Sequence, residues 1–354
     1  MRIPTLLTTV VLLTGGVALG QNVPEPLRED QDKYAPVNSI PEGYMFIEGD
    51  IVVPEDYFET GGERGTYGGS RWPNGILPYV FDANVSATNR SRAINGMAQW
   101  EAVVNVDFRP RNGEADYLHI QNATFNASEG VGMAGGRHDI WITSWTNTFI
   151  IAHEFGHALA YWHEQSRADR GTACNGGACI QVNLGNVCQN CCSGSSCNSQ
   201  FAVRGGGGEY GPYDFDSVMH YGQCSFSSCG ACPNDGTCTA GGRTITVLPP
   251  NDTQWQGAIG QRNHLSDWDV LVMSFLYPED NWRFVDRVCQ CPFLTTCLEF
   301  GTFSCPYRRF STGVSNTPAR GTLWILRPGN YAATGTHSKA MTLRAPLGGV
   351  VLGN

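Results

Sequence analysis

No cysteine precedes Cys174, no segment reaches eighteen consecutive apolar residues, and no block of lysine or arginine interrupts an overall charge of −9. Each absence excludes something. Without a run long enough to cross a bilayer, no transmembrane segment is expected. Without a basic patch on an already acidic chain, nothing is available to neutralise a phosphate backbone, so no nucleic-acid partner is expected. Without cysteines, the first half of the chain can form no internal disulfide. Charged residues make up only 16% of the 354, against 41% hydrophobic, so pervasive disorder is excluded and the chain can bury a full core in more than one unit.

What is present points to an oxidising destination. Residues 1–20 carry Arg2, an apolar run and small residues at Ala18 and Gly20, the pattern of a secretory signal peptide, so a secreted, extracellular protein is expected. The fourteen cysteines form one group of ten up to Cys238 and one of four from Cys289, both even, as local disulfide frameworks require. The pairs Cys188/Cys191 and Cys229/Cys232 also have the gap of zinc knuckles, which is the competing reading. Sequons at Asn84, Asn89, Asn122, Asn126 and Asn251 are compatible with a glycosylated surface.

Along the chain, residues 21–64 are rich in Pro, Glu and Asp and end in "TGGERG", which reads as a prosegment with a processing site near Arg64. A globular texture follows over 65–279: a strand near Leu77–Phe81, a helix in "SRAINGMAQWEAVV", short strands at "VDFRP", "DYLHI" and "HDIWIT", and a closing helix in "LSDWDVLVMSFLY" with Ser266 as N-cap. Residues 171–240 form a Gly-, Asn- and Cys-rich insertion that needs disulfides to hold it. Over 280–354, "GTLWILRPGNY" and "AMTLRAPLGGVVLG" repeat at an offset of roughly twenty residues. That spacing fits either coils of a parallel β-helix or a small disulfide-pinned β appendage.

The chemistry is concentrated in "HEFGHALAYWHE", residues 153–164. His153 and His157 lie one helical turn apart on one face and can reach a single metal ion. His163, six residues further, would lie off that face on a continuing helix, so the helix must end between them, near Ala160. Three neutral imidazoles leave one position of a tetrahedral zinc open, the arrangement of a catalytic site. Glu154 can take the proton of an activated water and pass it to a leaving amine. The residues therefore predict a peptide hydrolase with one Zn2+ per chain. Taken alone, a histidine pair on a helix is often ordinary packing.

This stretch, with the later "YDFDSVMHYG" and "IGQRNHLSDWDV", resembles the astacin family of metzincin metalloendopeptidases. The resemblance implies an α+β, metzincin (zincin-like) two-lobed protease domain with a twisted mixed sheet and a zinc-binding helix, followed by the small Cys-containing β-rich appendage. It implies zinc ligands His153, His157 and His163, with Glu154 as general base. Met219 would form the Met-turn beneath the metal, and Tyr221 would ligate zinc at rest and stabilise the oxyanion in the reaction. Glu164 would hold the buried amino terminus of the processed chain. Asp116, Tyr117, Leu118, His119 and Ile120 match the edge strand that binds an extended polypeptide substrate. "FIEGDIVV" resembles the inhibitory motif of the family's prosegments, with Asp50 blocking zinc in the zymogen and Ile47 in place of the usual Phe.

The sequence also departs from the family. The early cysteines of the family's two disulfides are missing, and Gly171 replaces an acidic residue. Ala160 stands where the family has a glycine, at a turn that favours a left-handed backbone. These departures motivate the alternative of a catalytically weak or inactive homologue that binds peptide or polysaccharide. Substrate preference, activating protease, disulfide connectivity and oligomeric state are not legible in the sequence.

Overall fold

Runs of β-branched and aromatic residues between turn signals become the strands of one sheet, and the longer apolar stretches become helices packed on it. The computed structural model describes residues 35–57, 70–189, 197–204, 208–228, 238–288, 299–333 and 336–353. The signal peptide, the processing site near Arg64, and Cys191, Cys229 and Cys232 lie outside them.

In chain order the elements of the first half are β1 (Tyr44–Ile47), β2 (Ile51–Pro54), β3 (Ile76–Phe81), α1 (Ala87–Glu101), β4 (Asp107–Pro110), β5 (Tyr117–Asn122), β6 (Ala127–Glu129), β7 (Arg137–Ile142) and α2 (Thr148–Ala158). The seven strands form one mixed sheet in the order β1-β2-β6-β7-β5-β3-β4. Strand β3 runs parallel to both β4 and β5, and β5 runs parallel to β7, whereas β6 turns back antiparallel to β7. Under the sheet α1 and α2 bury Met97, Trp100, Ile151 and Phe155, and the Trp100 indole N–H donates to Ala152 O at 2.8 Å. The fold class is the expected α+β one.

The sheet order corrects the reading of residues 116–120. Strand β5 lies inside the sheet, with Tyr117–Asn122 hydrogen-bonded to β7 and Tyr79–Phe81 of β3 on its other side. Both backbone edges are taken, so it cannot accept a substrate strand. The outermost strand of the sheet proper on that side is β6, and its free edge is filled by β2 in parallel register, Ile51 opposite Ser128 and Val52 opposite Glu129. Three residues of "ASE" carry no alternating apolar signal, which is why the pattern in "DYLHI" is the more visible of the two.

Past α2 the insertion is held by local pairing: β8 (Ile180–Val182) runs antiparallel to β9 (Ile245–Val247), and disulfides join Cys174 to Cys179 and Cys224 to Cys238. These bonds bear out disulfides for Cys174, Cys179, Cys224 and Cys238, whereas Cys305 is a free thiol. Short α3 (Asp252–Trp255) precedes α4 (Asp267–Leu276), where Ser266 is the N-cap and closes a capping box with Asp269.

The remaining elements are β10 (Trp282–Val285), α5 (Phe310–Asn316), β11 (Thr322–Ile325), β12 (Gly329–Tyr331), β13 (Thr342–Arg344) and β14 (Val350–Leu352). Strands β10, β11 and β13 stack in parallel, Thr322 opposite Thr342, and β12 stacks parallel on β14, Gly329 opposite Val350. Successive coils of a β-helix stack in this way. Phe284, Phe303 and Leu326 belong to the same apolar core as the peptidase helices. Phe275 of α4 touches the rings of Phe284, Phe303 and Trp324 at centroid distances of 5.3, 5.1 and 4.9 Å.

Candidate metal centre and active site

Helix α2 starts at Asn147, whose side chain accepts from the N–H groups of Phe149 and Ile150, and it carries His153, Glu154 and His157 into the interior. It ends as the sequence requires. Ala160 has φ +98°, its N–H donates to His157 O at 2.9 Å, and the Tyr161 N–H reaches back to Gly156 O at 2.9 Å. These two bonds are a Schellman cap with Ala160 at the left-handed position where glycine is favoured. The alanine costs about 1–2 kcal/mol there, and the turn forms nonetheless. Met219 packs beneath the helix: a Cβ on Gly156 would lie 2.8 Å from its sulfur, so only glycine lets the helix settle on that residue.

The turn returns His163 to the other two histidines. His163 Nε2 lies 3.3 Å from His153 Nε2, and ligand atoms of His153, His157, His163 and Asp50 all lie within 4.8 Å of one another. Asp50 comes from the tip of the β1–β2 hairpin and faces the three imidazoles: Oδ2 is 3.2 Å from His153 Nε2, and Oδ1 is 3.2 Å from His163 Nε2 and 3.6 Å from His157 Nε2.

The outer nitrogens are committed elsewhere. His153 Nδ1 donates to Val218 O at 2.8 Å and His157 Nδ1 to Tyr161 O at 2.7 Å, and His163 Nδ1 lies 2.8 Å from Glu48 Oε2. A carbonyl only accepts, so His153 and His157 keep their Nε2 lone pairs turned inward. Among the described residues, His157 Nε2 and Glu154 Oε2 are buried without a hydrogen-bond partner. Converging lone pairs and a carboxylate, buried together, are the chemistry of a cation site, and imidazole nitrogens with one carboxylate suit zinc. The set fits the metal.

The electrostatics follow from burial. Desolvation takes His153 down to about 3 and also lowers His157. Burial would lower His163 too, but the Asp50 and Glu48 carboxylates outweigh it and hold this imidazole up at about 9. Burial, then the Asp50 charge, pushes Glu154 well above the ordinary carboxylate range.

Tyr221 stacks on His163, ring centroids 4.6 Å apart, and its hydroxyl donates a short bond to Glu48 O. Glu164 accepts from Arg167 Nη1 at 3.0 Å and from the Asp214 N–H at 2.8 Å. The expected centre is thus brought together, whereas the 116–120 segment is apart from it in the sheet interior. Three contributors escaped the sequence reading. Glu48 is fully buried at φ +49° and accepts from Arg204 Nε through Oε1 at 2.7 Å. Gln200 accepts from the Gly49 N–H at 2.8 Å. Asp269 accepts from the Val218 N–H at 2.8 Å behind the metal helix. For Asp269 the S-x-x-D spacing of the capping box was a visible signal. For the other two there was none, because they are joined to the site by contacts between residues 115 and 151 apart.

A histidine-bearing helix under a mixed sheet, with a His3Asp cluster beside a buried glutamate, defines a metzincin-type fold with a candidate metal centre. Residues 65–278 match the Astacin peptidase family. The chain belongs to this family of peptidases. It is 28% identical over 244 residues to Meprin A subunit beta of Mus musculus, covering 66% of this chain and 30% of that protein. It is 31% identical over 210 residues to Tolloid-like protein 1 of Homo sapiens, covering 58% and 19%. It is 28% identical over 242 residues to Low choriolytic enzyme of Oryzias latipes, covering 65% and 77%. Among solved structures, High choriolytic enzyme 1, a hatching enzyme zinc-protease from Oryzias latipes, is 26% identical with a TM-score of 0.47, covering 59% of this chain and 92% of that one. The match spans only 30%, 20% and 19% of the first three curated relatives.

Proposed function

We propose that this chain is a secreted zinc endopeptidase made in a latent form and silenced by its own β1–β2 hairpin. The observation that carries the reading is the convergence of His153, His157, His163 and Asp50 on one buried point beside Glu154. The three histidines would hold one Zn2+, with Asp50 facing them from the hairpin until processing. When bound, the metal supplies Lewis acidity to a water and to the scissile carbonyl.

The chain's own groups do the rest. Glu154, next to His153 and with Oε2 buried and without a hydrogen-bond partner among the described residues, takes the water's proton and returns it to the leaving amine. Tyr221 turns its hydroxyl to the developing oxyanion once Glu48 O no longer accepts from it. Met219 fills the floor under the centre. With the hairpin gone, the outer edge of β6 takes an extended polypeptide by strand addition. Glu164, at present paired with Arg167, receives the new amino terminus.

Several features support secretion and latency. The amino-terminal signal pattern and the disulfides fit an oxidising compartment, and among the described residues no helix is long and apolar enough to cross a membrane. Glu48 ties the hairpin to His163 and Arg204, and Ile47, Ile51 and Val53 pack with Trp162 and Val131. The complete cluster, formed despite Ala160, supports an enzyme over a non-cutting binder.

The test is zinc content and casein cleavage after release of the prosegment, with Glu154→Gln as control. About one zinc per chain, cleavage by the parent and none by the zinc-loaded control are expected. A processed parent that takes up zinc but leaves casein intact would favour the binding-protein alternative.

A further inference from the structure

Neutral imidazoles bind a metal well only when their outer nitrogens are fixed. For His153 and His157 the fixing groups are two backbone carbonyls, Val218 O and Tyr161 O, on different segments. Both segments are fastened to one residue. The Asp269 carboxylate accepts from the Val218 N–H at 2.8 Å through Oδ2 and from the Ser217 hydroxyl at 2.6 Å through Oδ1. The Asp269 carbonyl accepts from the Tyr161 hydroxyl at 2.7 Å. A carboxylate at the third position of a helix needs one acceptor for its capping box, which Oδ2 provides to the Ser266 N–H at 3.0 Å. The other bonds face the metal helix. Every member of the relay, Asp269, Ser217, Val218, Tyr161, His153 and His157, is buried, so none can exchange its partner for water at little cost.

We infer that Asp269 is the positioning residue shared by His153 and His157, setting the tautomer and direction of both imidazoles through Val218 and Tyr161. The inference rests on the zinc-centre reading. It separates the ligands into two kinds: His153 and His157 are oriented from inside the peptidase core, whereas His163 takes its outer contact from Glu48 of the hairpin.

The test measures zinc affinity of the whole chain by competition with a chromophoric chelator, and the visible spectrum of the cobalt-substituted protein. Asp269→Asn puts an NH2 group where the Ser217 and Val218 donors need an acceptor, and should weaken zinc binding roughly 10- to 100-fold with an altered cobalt spectrum. Tyr161→Phe and Ser217→Ala, each removing one bond of the relay, should weaken it less and in the same direction. Leu77→Ala, a destabilising change in β3 outside the relay, should lower the melting temperature and leave zinc affinity alone. Unchanged zinc affinity in Asp269→Asn, or an equal loss in Leu77→Ala, would overturn the inference. Where Asp269→Asn does not fold, unchanged affinity in both Tyr161→Phe and Ser217→Ala overturns it instead. The zinc-centre reading fails separately, if the unaltered chain binds zinc no better than His153→Ala.

Discussion

Two β-rich additions flank the peptidase fold, and they are attached in opposite ways. The β1–β2 hairpin adds two strands to the main sheet and reaches the site through carboxylates: Asp50 toward the three histidines, Glu48 toward His163 and Arg204. The strands from β10 to β14 reach the core through aromatic rings, with Phe284, Phe303 and Trp324 packed on Phe275. A polar latch depends on the charge of a few atoms and can be undone by cleavage or protonation. An aromatic seam depends on volume and has no such switch. The difference supports the proposal that the hairpin is released and the tail stays.

Hollowing the seam should have the largest effect. Phe303→Ala removes a ring that is 2% exposed and touches Phe275, Phe284 and Tyr210. It should cost about 3–5 kcal/mol, read as a lowered denaturant midpoint for the peptidase domain as well as the tail. A loss confined to the tail would show the seam to be superficial.

The latch should be weaker but specific. Glu48→Gln leaves the Arg204 guanidinium without its carboxylate at Glu48, and breaking a buried pair of this kind costs roughly 3 kcal/mol. After a nick near Arg64, the hairpin should leave the variant on the order of 100-fold faster than the parent, measured by separation of the fragment. Asp50→Ala alone, with Glu48 and the Ile51 and Val53 packing intact, should leave the uncut chain only partly active. Full activity in that single variant would assign the whole latch to Asp50.

Acid should distinguish the two attachments without mutation. Burial works against both carboxylates, but His163 and the neighbouring partners win: Glu48 lies below its ordinary value and Asp50 well below. Depressed carboxylates stabilise docking fully above the ordinary carboxylate range and lose that contribution as pH falls through their folded values. A nicked hairpin should therefore dissociate progressively in acid while the Phe275 seam persists. Equal retention at pH 7 and under acid would contradict the carboxylate latch.

The smallest expected effect concerns the turn between the two regions. Ala160→Gly relieves a left-handed alanine worth about 1–2 kcal/mol, so it should raise the melting temperature by a few degrees, tighten zinc and leave the cleavage pattern unchanged. A neutral or destabilising result would mean that the φ of +98° is not a strained feature of this chain.

Much of this was legible beforehand where local rules decide. The i, i+4 histidines, the need for a break before His163, the left-handed demand on residue 160, the Ser266 N-cap and the twenty-residue offset of the tail each follow from the geometry of one helix, turn or repeat. The edge strand was misplaced because period-2 alternation reports that a strand is half-buried, not which neighbours it has. "DYLHI" has the stronger pattern because it is interior, while the strand that meets the hairpin is three residues long.

Local rules acting on the sequence set the chemistry available: two imidazoles and a glutamate on a helix that must end near Ala160, a third imidazole just past that break, an aspartate beside a glycine in the leading segment, and cysteines confined to residues 174–305. Which groups meet is set by the folded chain. It sets Asp50 against His153, 103 residues away, Glu48 against Arg204 across 156 residues, and Asp269 behind Val218 across 51. The physical reason is range. Helix periodicity, capping and turn preference act over a few residues, whereas the pairing of buried charges is fixed only when sheet register and core packing bring distant segments to hydrogen-bond distance.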